Sequence, residues 1–114
     1  MPDADIDNAV NALMGAAYGS CGERCMAISV AVCVGDAVAD ELVAKLEPQV
    51  QGLKIGNGTD VSNEMGPLIT GAAQTRGRSL VTQGVEQGAD LVVDGREWVV
   101  EGFEEGFFVG GCLF

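Results

Sequence analysis

Residues 26–34 read Met-Ala-Ile-Ser-Val-Ala-Val-Cys-Val, nine positions without a charge, a glycine or a proline. Three valines and one isoleucine stand among them. Branching at Cβ stiffens χ1 and suits a pleated strand. A strand with no polar alternation must be covered on both faces, which is the habit of parallel sheets flanked by helices. This run, closed by Gly35, predicts a layered α/β fold and argues against a helical bundle or a one-faced antiparallel sheet.

The flanking segments supply the helices. Residues 3–18 place Ile6, Val10, Leu13, Met14 and Ala17 on one face, with Asp3 or Asp5 available as the cap. Two glycines in Tyr18-Gly-Ser-Cys-Gly break that pattern. Asp36 can cap a second helix with Val38, Leu42, Val43 and Leu46 inward; Pro48 ends or bends it, and Val50 suggests that it resumes. Leu53-Lys-Ile-Gly reads as a short strand before a loop from Asn57 to Pro67. Thr70 caps a third helix with Ala73, Leu80, Val81 and Val85 inward and Gly88 as its stop. Ala89–Val93 is expected as a strand, Asp94-Gly95 as a turn and Trp98–Val100 as the hairpin partner. A last apolar strand runs to Phe114. Both ends of the chain are abrupt, and a piece of a larger α/β layer with right-handed connections is expected.

Charge narrows the function classes. Seventeen acidic and six basic residues give a net charge of −11. Nucleic acid needs a basic footprint, and an anionic membrane surface repels such a chain, so neither is an expected partner. No apolar run reaches the ~20 residues of a membrane span, and Met1-Pro-Asp-Ala-Asp is not a signal peptide, so a soluble cytoplasmic location is expected. Histidine is absent, which removes the commonest general base and metal ligand. Cys21, Cys25, Cys33 and Cys112 match no zinc spacing, and neither a metal nor a disulfide framework is expected.

One segment points to chemistry. In Gly19-Ser-Cys-Gly-Glu-Arg-Cys-Met-Ala a helix ends, a glycine-bracketed loop turns, and an apolar run starts directly after Cys25. That placement fixes a thiol at the mouth of a sheet, as a nucleophile requires. Arg24 favours thiolate and Glu23 opposes it. On these residues alone, a structural cysteine and a nucleophile both stay open.

The string Ala17-Tyr-Gly-Ser-Cys-Gly-Glu-Arg-Cys-Met-Ala-Ile-Ser-Val-Ala-Val resembles the cysteine loop of the aldehyde dehydrogenase superfamily, in particular the CoA-acylating methylmalonate-semialdehyde dehydrogenases. Leu53-Lys-Ile-Gly, Met65-Gly-Pro-Leu-Ile-Thr, Val92-Val-Asp-Gly-Arg and Gly106-Phe-Phe-Val-Gly-Gly-Cys-Leu-Phe agree in order. The resemblance implies part of a three-layer α/β catalytic domain, with helices on a mainly parallel sheet and a small hairpin. Residues 1–114 would be a fragment of that domain without the cofactor-binding domain, since no G-x-G-x-x-G lies between a strand and a helix.

It further implies that Cys25 is the nucleophile, attacking a semialdehyde and carrying its acyl group as a thioester, with NAD as hydride acceptor and CoA as acyl acceptor. Propionyl-CoA or acetyl-CoA would be released with loss of the substrate carboxylate. The Cys25 N–H would be one oxyanion donor, and Arg24 would hold the carboxylate, which suits a guanidinium fork. NAD and CoA are expected with the whole enzyme and not on this fragment, which alone is expected to be inactive. A homo-oligomer is expected, because strands without neighbours invite pairing. The rivals are a non-catalytic binding or interaction fragment and a segment of an ordinary water-hydrolysing aldehyde dehydrogenase.

Overall fold

The computed structural model describes all 114 residues. Helix α1 spans Ile6–Leu13, and of the two candidate caps Asp5 is the one used: its Oδ1 accepts from the Asn8 N–H at 3.0 Å. Val10 is buried, and Asp7 stands in the first turn, where a carboxylate complements the helix dipole. Beyond Leu13 the helical path widens into a π turn over Met14–Tyr18, then tightens into a 3₁₀ turn over Gly19–Gly22.

Helix α2 covers Asp36–Gln51 and buries Leu42, Leu46 and Val50. Gly35, with φ of 97°, provides the entry, so Asp36 is the first helical residue and not the cap. Pro48 neither ends nor visibly divides the helix. It lies within the last turn, where it forgoes the one i→i−4 bond to the Ala44 carbonyl, and its own carbonyl accepts from Gly52 N–H at 3.0 Å. Lys45 joins α2 to α1 through Asp7 at 2.7 Å and also pairs with Glu41 at 2.8 Å.

Helix α3, Gly71–Glu86, starts as expected: Thr70 Oγ1 accepts from Ala73 N–H at 3.1 Å. It ends before Gly88, whose φ is 91°. Its predicted inward face is corrected, because α3 buries no residue and Leu80 is 54% exposed. The helix is held at its start, where Gln74 Nε2 donates to the Phe108 carbonyl at 2.7 Å and the Phe107 ring packs on Gly71.

The core falls into two clusters. Val10, Leu42, Leu46, Val50 and Val93 form one. Leu53, Ile55, Met65 and Phe108 form the other, and Met14 and Tyr18 of the π turn pack against both. The wider turn thus seats the two side chains that join the clusters.

The expected strands require correction. Residues 27–33 form neither helix nor turn, no neighbouring segment bonds to Ser29–Val34, and Val30 and Val32 are 77% and 85% exposed. Local preference favours a strand, but a ladder also needs a partner, and none of residues 1–114 pairs with this run. Leu53–Gly56 contributes only a parallel bridge from Ile55 to Met65.

The hairpin of Ala89–Val93 with Trp98–Val100 does not form. Val93 instead bridges antiparallel to Leu113, with Leu113 N–H donating to Val93 O at 3.0 Å and Val93 N–H to Leu113 O at 3.1 Å. Gly95 and Gly110 meet backbone to backbone, Gly110 N–H donating to Gly95 O at 2.7 Å. That close approach, possible only without side chains, gives the C-terminal segment the place that Trp98–Val100 was expected to take.

Candidate active site

The cysteine loop is built by three successive changes of backbone. The π turn brings Tyr18 inward, where its hydroxyl donates to the Cys112 carbonyl at 2.9 Å. Ser20 and Cys21 then take left-handed conformations with φ of 52° and 54°, and Gly22 follows at 71°. Two consecutive non-glycine residues there carry strain that surrounding contacts must hold. One such contact is the Cys21 thiol, which donates to the Gly66 carbonyl at 2.9 Å.

A turn over Glu23–Met26 follows, with Glu23 N–H donating to Ser20 O at 2.9 Å and Ala27 N–H to Arg24 O at 3.0 Å. Cys25 lies on this turn with its thiol free and exposed. Its N–H meets no protein acceptor, so both groups expected of a nucleophile with an oxyanion donor are available. Arg24 is exposed as well, and its Nη1 donates to Gly15 O at 3.4 Å, folding the side chain back over the π turn. Gly19 makes room for it: a Cβ there would stand 2.9 Å from Arg24 Cζ.

Both sequence-derived candidates therefore share one exposed turn. They do not line the groove of about 760 Å³ bordered by Tyr18, Cys21, Ile28, Cys33 and Leu113. Cys21 does reach it, as a loop anchor. Its signal in the sequence was faint: a cysteine between two glycines gives no hint that a carbonyl 45 positions later will accept its proton. Gly66 supplies that carbonyl.

The thiols separate by environment. Burial pushes Cys21 up to about 11, helped by Glu23, and burial also raises Cys112, whose Sγ accepts from Gly95 N–H at 3.3 Å. Limited alkylation at mildly alkaline pH is expected to label Cys25 first, ahead of Cys21, Cys33 and Cys112, because only Cys25 is exposed. Peptide mapping checks this, and equal labelling would contradict it.

Burial likewise raises the Tyr18 hydroxyl to about 12. Both groups lose their protons later in the folded chain than in the unfolded one, so the unfolded chain binds fewer protons and stability falls as pH rises. The loss runs from pH 9.0 to about 11 for Cys21 and from 10.0 to about 12 for Tyr18. The urea midpoint should decline across this range, and Tyr18→Phe should flatten its upper part.

The "Aldehyde dehydrogenase family" profile matches residues 1–114. The chain belongs to the aldehyde dehydrogenase family. It is 68% identical over 114 residues to malonate-semialdehyde dehydrogenase of Pseudomonas aeruginosa, covering 100% of this chain and 23% of that protein. A solved structure from Sinorhizobium meliloti, complexed with NAD and described as a methylmalonate-semialdehyde dehydrogenase, superposes with a TM-score of 0.96 at 59% identity. Methylmalonate-semialdehyde dehydrogenase of Oceanimonas doudoroffii gives 0.94 at 55%. In both cases 98% of this chain and 23% of the other are covered. The fold is thus that of an α/β aldehyde dehydrogenase domain, and the chain spans less than a quarter of the length of these relatives. No helix is long and apolar enough to cross a membrane.

Proposed function

We propose that residues 1–114 form the nucleophile-bearing segment of an NAD-dependent, CoA-acylating (methyl)malonate-semialdehyde dehydrogenase. The observation that carries this reading is the exposed Cys25 thiol and unengaged N–H on the turn that also presents Arg24, in a chain 68% identical to a malonate-semialdehyde dehydrogenase. The thiolate would add to the aldehyde carbon. The Cys25 N–H would donate to the oxyanion that forms, a contribution of about 3–4 kcal/mol when such a donor is removed. Arg24 would swing from Gly15 to pair with the substrate carboxylate in a bidentate fork. Once the adduct is oxidised, the acyl group would remain on Cys25 as a thioester until CoA accepts it.

An NAD site is not assigned to these residues in this reading. Helices α1, α2 and α3 are entered through Asp5, Gly35 and Thr70, whereas a dinucleotide cradle is a glycine-rich turn between a strand and a helix. The nicotinamide that oxidises the adduct would be held by residues beyond this segment, and the segment alone would be inactive. In this reading, residues 1–114 are a fragment of the catalytic domain. In the whole enzyme, residues 27–34 would join a mainly parallel sheet between helical layers. In residues 1–114 alone, the same exposed run favours self-association.

A chimera tests this reading. The matching segment of the Pseudomonas aeruginosa enzyme is replaced by residues 1–114, and NAD reduction with malonate semialdehyde is followed with and without CoA. CoA-dependent release of acetyl-CoA is expected. Release of a free acid with CoA present would favour the water-hydrolysing alternative, and a folded but inactive chimera would favour a non-catalytic segment.

A further inference from the structure

Asparagine side chains can be attacked by the backbone nitrogen that follows them, and the chain offers four: Asn8, Asn11, Asn57 and Asn63. Asn8 and Asn11 lie within α1, where helical hydrogen bonds engage the backbone, the Ala9 N–H donating to Asp5 O at 3.0 Å. The amide after Asn63 belongs to Glu64 and donates to Lys54 O at 2.7 Å, while Asn63 Nδ2 itself donates to Asn57 O at 3.1 Å. Asn57 differs in every respect. The next residue is Gly58, whose N–H meets no acceptor and whose Cα has no neighbour within 4 Å of where a Cβ would stand.

The Asn57 side chain folds forward over that amide. Its Oδ1 accepts from Thr59 N–H at 3.0 Å and from Thr59 Oγ1 at 3.1 Å. The Asn57 carbonyl, held by Asp60 N–H at 3.0 Å, fixes the other side of the turn. Two donors on Oδ1 polarise the Cγ carbonyl and are already placed for negative charge developing on that oxygen, the arrangement that preorganised donors exploit. The Gly58 nitrogen is unbonded and only one residue along the chain from the Asn57 amide, so attack is intramolecular.

We propose that Asn57 is a site of spontaneous, structure-assisted deamidation. The Gly58 nitrogen gives up its proton and bonds to Asn57 Cγ; the Cγ–Nδ2 bond breaks, and ammonia leaves with a proton. Water then opens the cyclic imide at either carbonyl, yielding aspartate or isoaspartate at position 57. No electrons are exchanged. The product adds a carboxylate to a loop that already holds Asp60 and Glu64, in a chain at −11. The isoaspartate form also lengthens the loop between Ile55 and Met65, which the bridge closes just before the Gly66 carbonyl that anchors Cys21.

The experiment is timed incubation of the full chain at neutral and mildly alkaline pH, read by intact mass and by peptide mapping that separates aspartate from isoaspartate. The expected result is modification at Asn57 ahead of the other three asparagines, both products appearing, and a rate that rises with pH. Gly58→Ala should slow it by about tenfold or more. Thr59→Ala should slow it several-fold while the same reaction in urea-unfolded chain is unchanged. Asn57 staying intact, another asparagine reacting as fast, or a folded chain reacting no faster than the unfolded one would each overturn the proposal. Thr59→Ala reacting at the unaltered rate would overturn the role of the turn.

Discussion

Cys25→Ala in the chimeric full-length enzyme is expected to lower NAD reduction by at least about 10⁴-fold, because losing the nucleophile removes the covalent route and leaves only binding and oxyanion stabilisation. Folding should be unaffected, since the thiol is exposed and engages no neighbour. Arg24→Ala should act differently. Its guanidinium touches only Gly15 O and the space above Gly19, so losing it should raise KM for a carboxylate-bearing aldehyde much more than for a simple one. Arg24→Lys should recover little, because an ammonium does not reproduce a planar fork. Turnover of Cys25→Ala within tenfold of the parent would remove the nucleophile assignment altogether.

The largest stability effect is expected at Gly95. A Cβ there would stand 2.2 Å from the Gly110 carbonyl carbon and 2.5 Å from both Cα and O of that residue. These are backbone atoms, tied by the Gly110 N–H donating to Gly95 O at 2.7 Å, so neither side can yield by a rotamer change. Gly95→Ala must therefore part the two segments and with them the Val93–Leu113 bridge. Val93 belongs to the cluster with Val10, Leu42, Leu46 and Val50, which makes the displacement a core defect.

A loss of about 3 kcal/mol is expected, at the upper end for overpacking. Gly77→Ala is the control: it lies inside α3 with nothing within 4 Å, and alanine should stabilise that helix by up to about 1 kcal/mol. Urea denaturation of the two variants reads the contrast. A Gly95→Ala loss below about 0.5 kcal/mol would mean that the close approach does not constrain the fold.

Local grammar accounts for what could be read early. Asp5 and Thr70 were recognisable as helix caps because a short oxygen-bearing side chain before an apolar periodicity meets the free N–H groups of a first turn. Val50 after Pro48 correctly hinted at a helix that continues, because its spacing from Leu42 and Leu46 keeps one apolar face buried across the proline. The cysteine loop was legible because glycines and a break in periodicity mark it whatever surrounds it. The inward face of α3 was misread because its spacing says which residues share a side, and only neighbours say whether that side is covered.

Chain-local information, the stereochemistry of each residue with those a few positions away, was enough for three helices, the caps of the first and third, and an arginine–cysteine turn after a glycine-rich break. Long-range placement had to come from the fold. It gave Val93 its partner in Leu113 instead of Trp98–Val100, anchored Cys21 on Gly66, and left the apolar run without a ladder. The division is physical: φ and ψ preferences and caps act within a turn of chain, whereas hydrogen-bond partners and packing depend on which distant backbones can approach, and here two facing glycines made that choice.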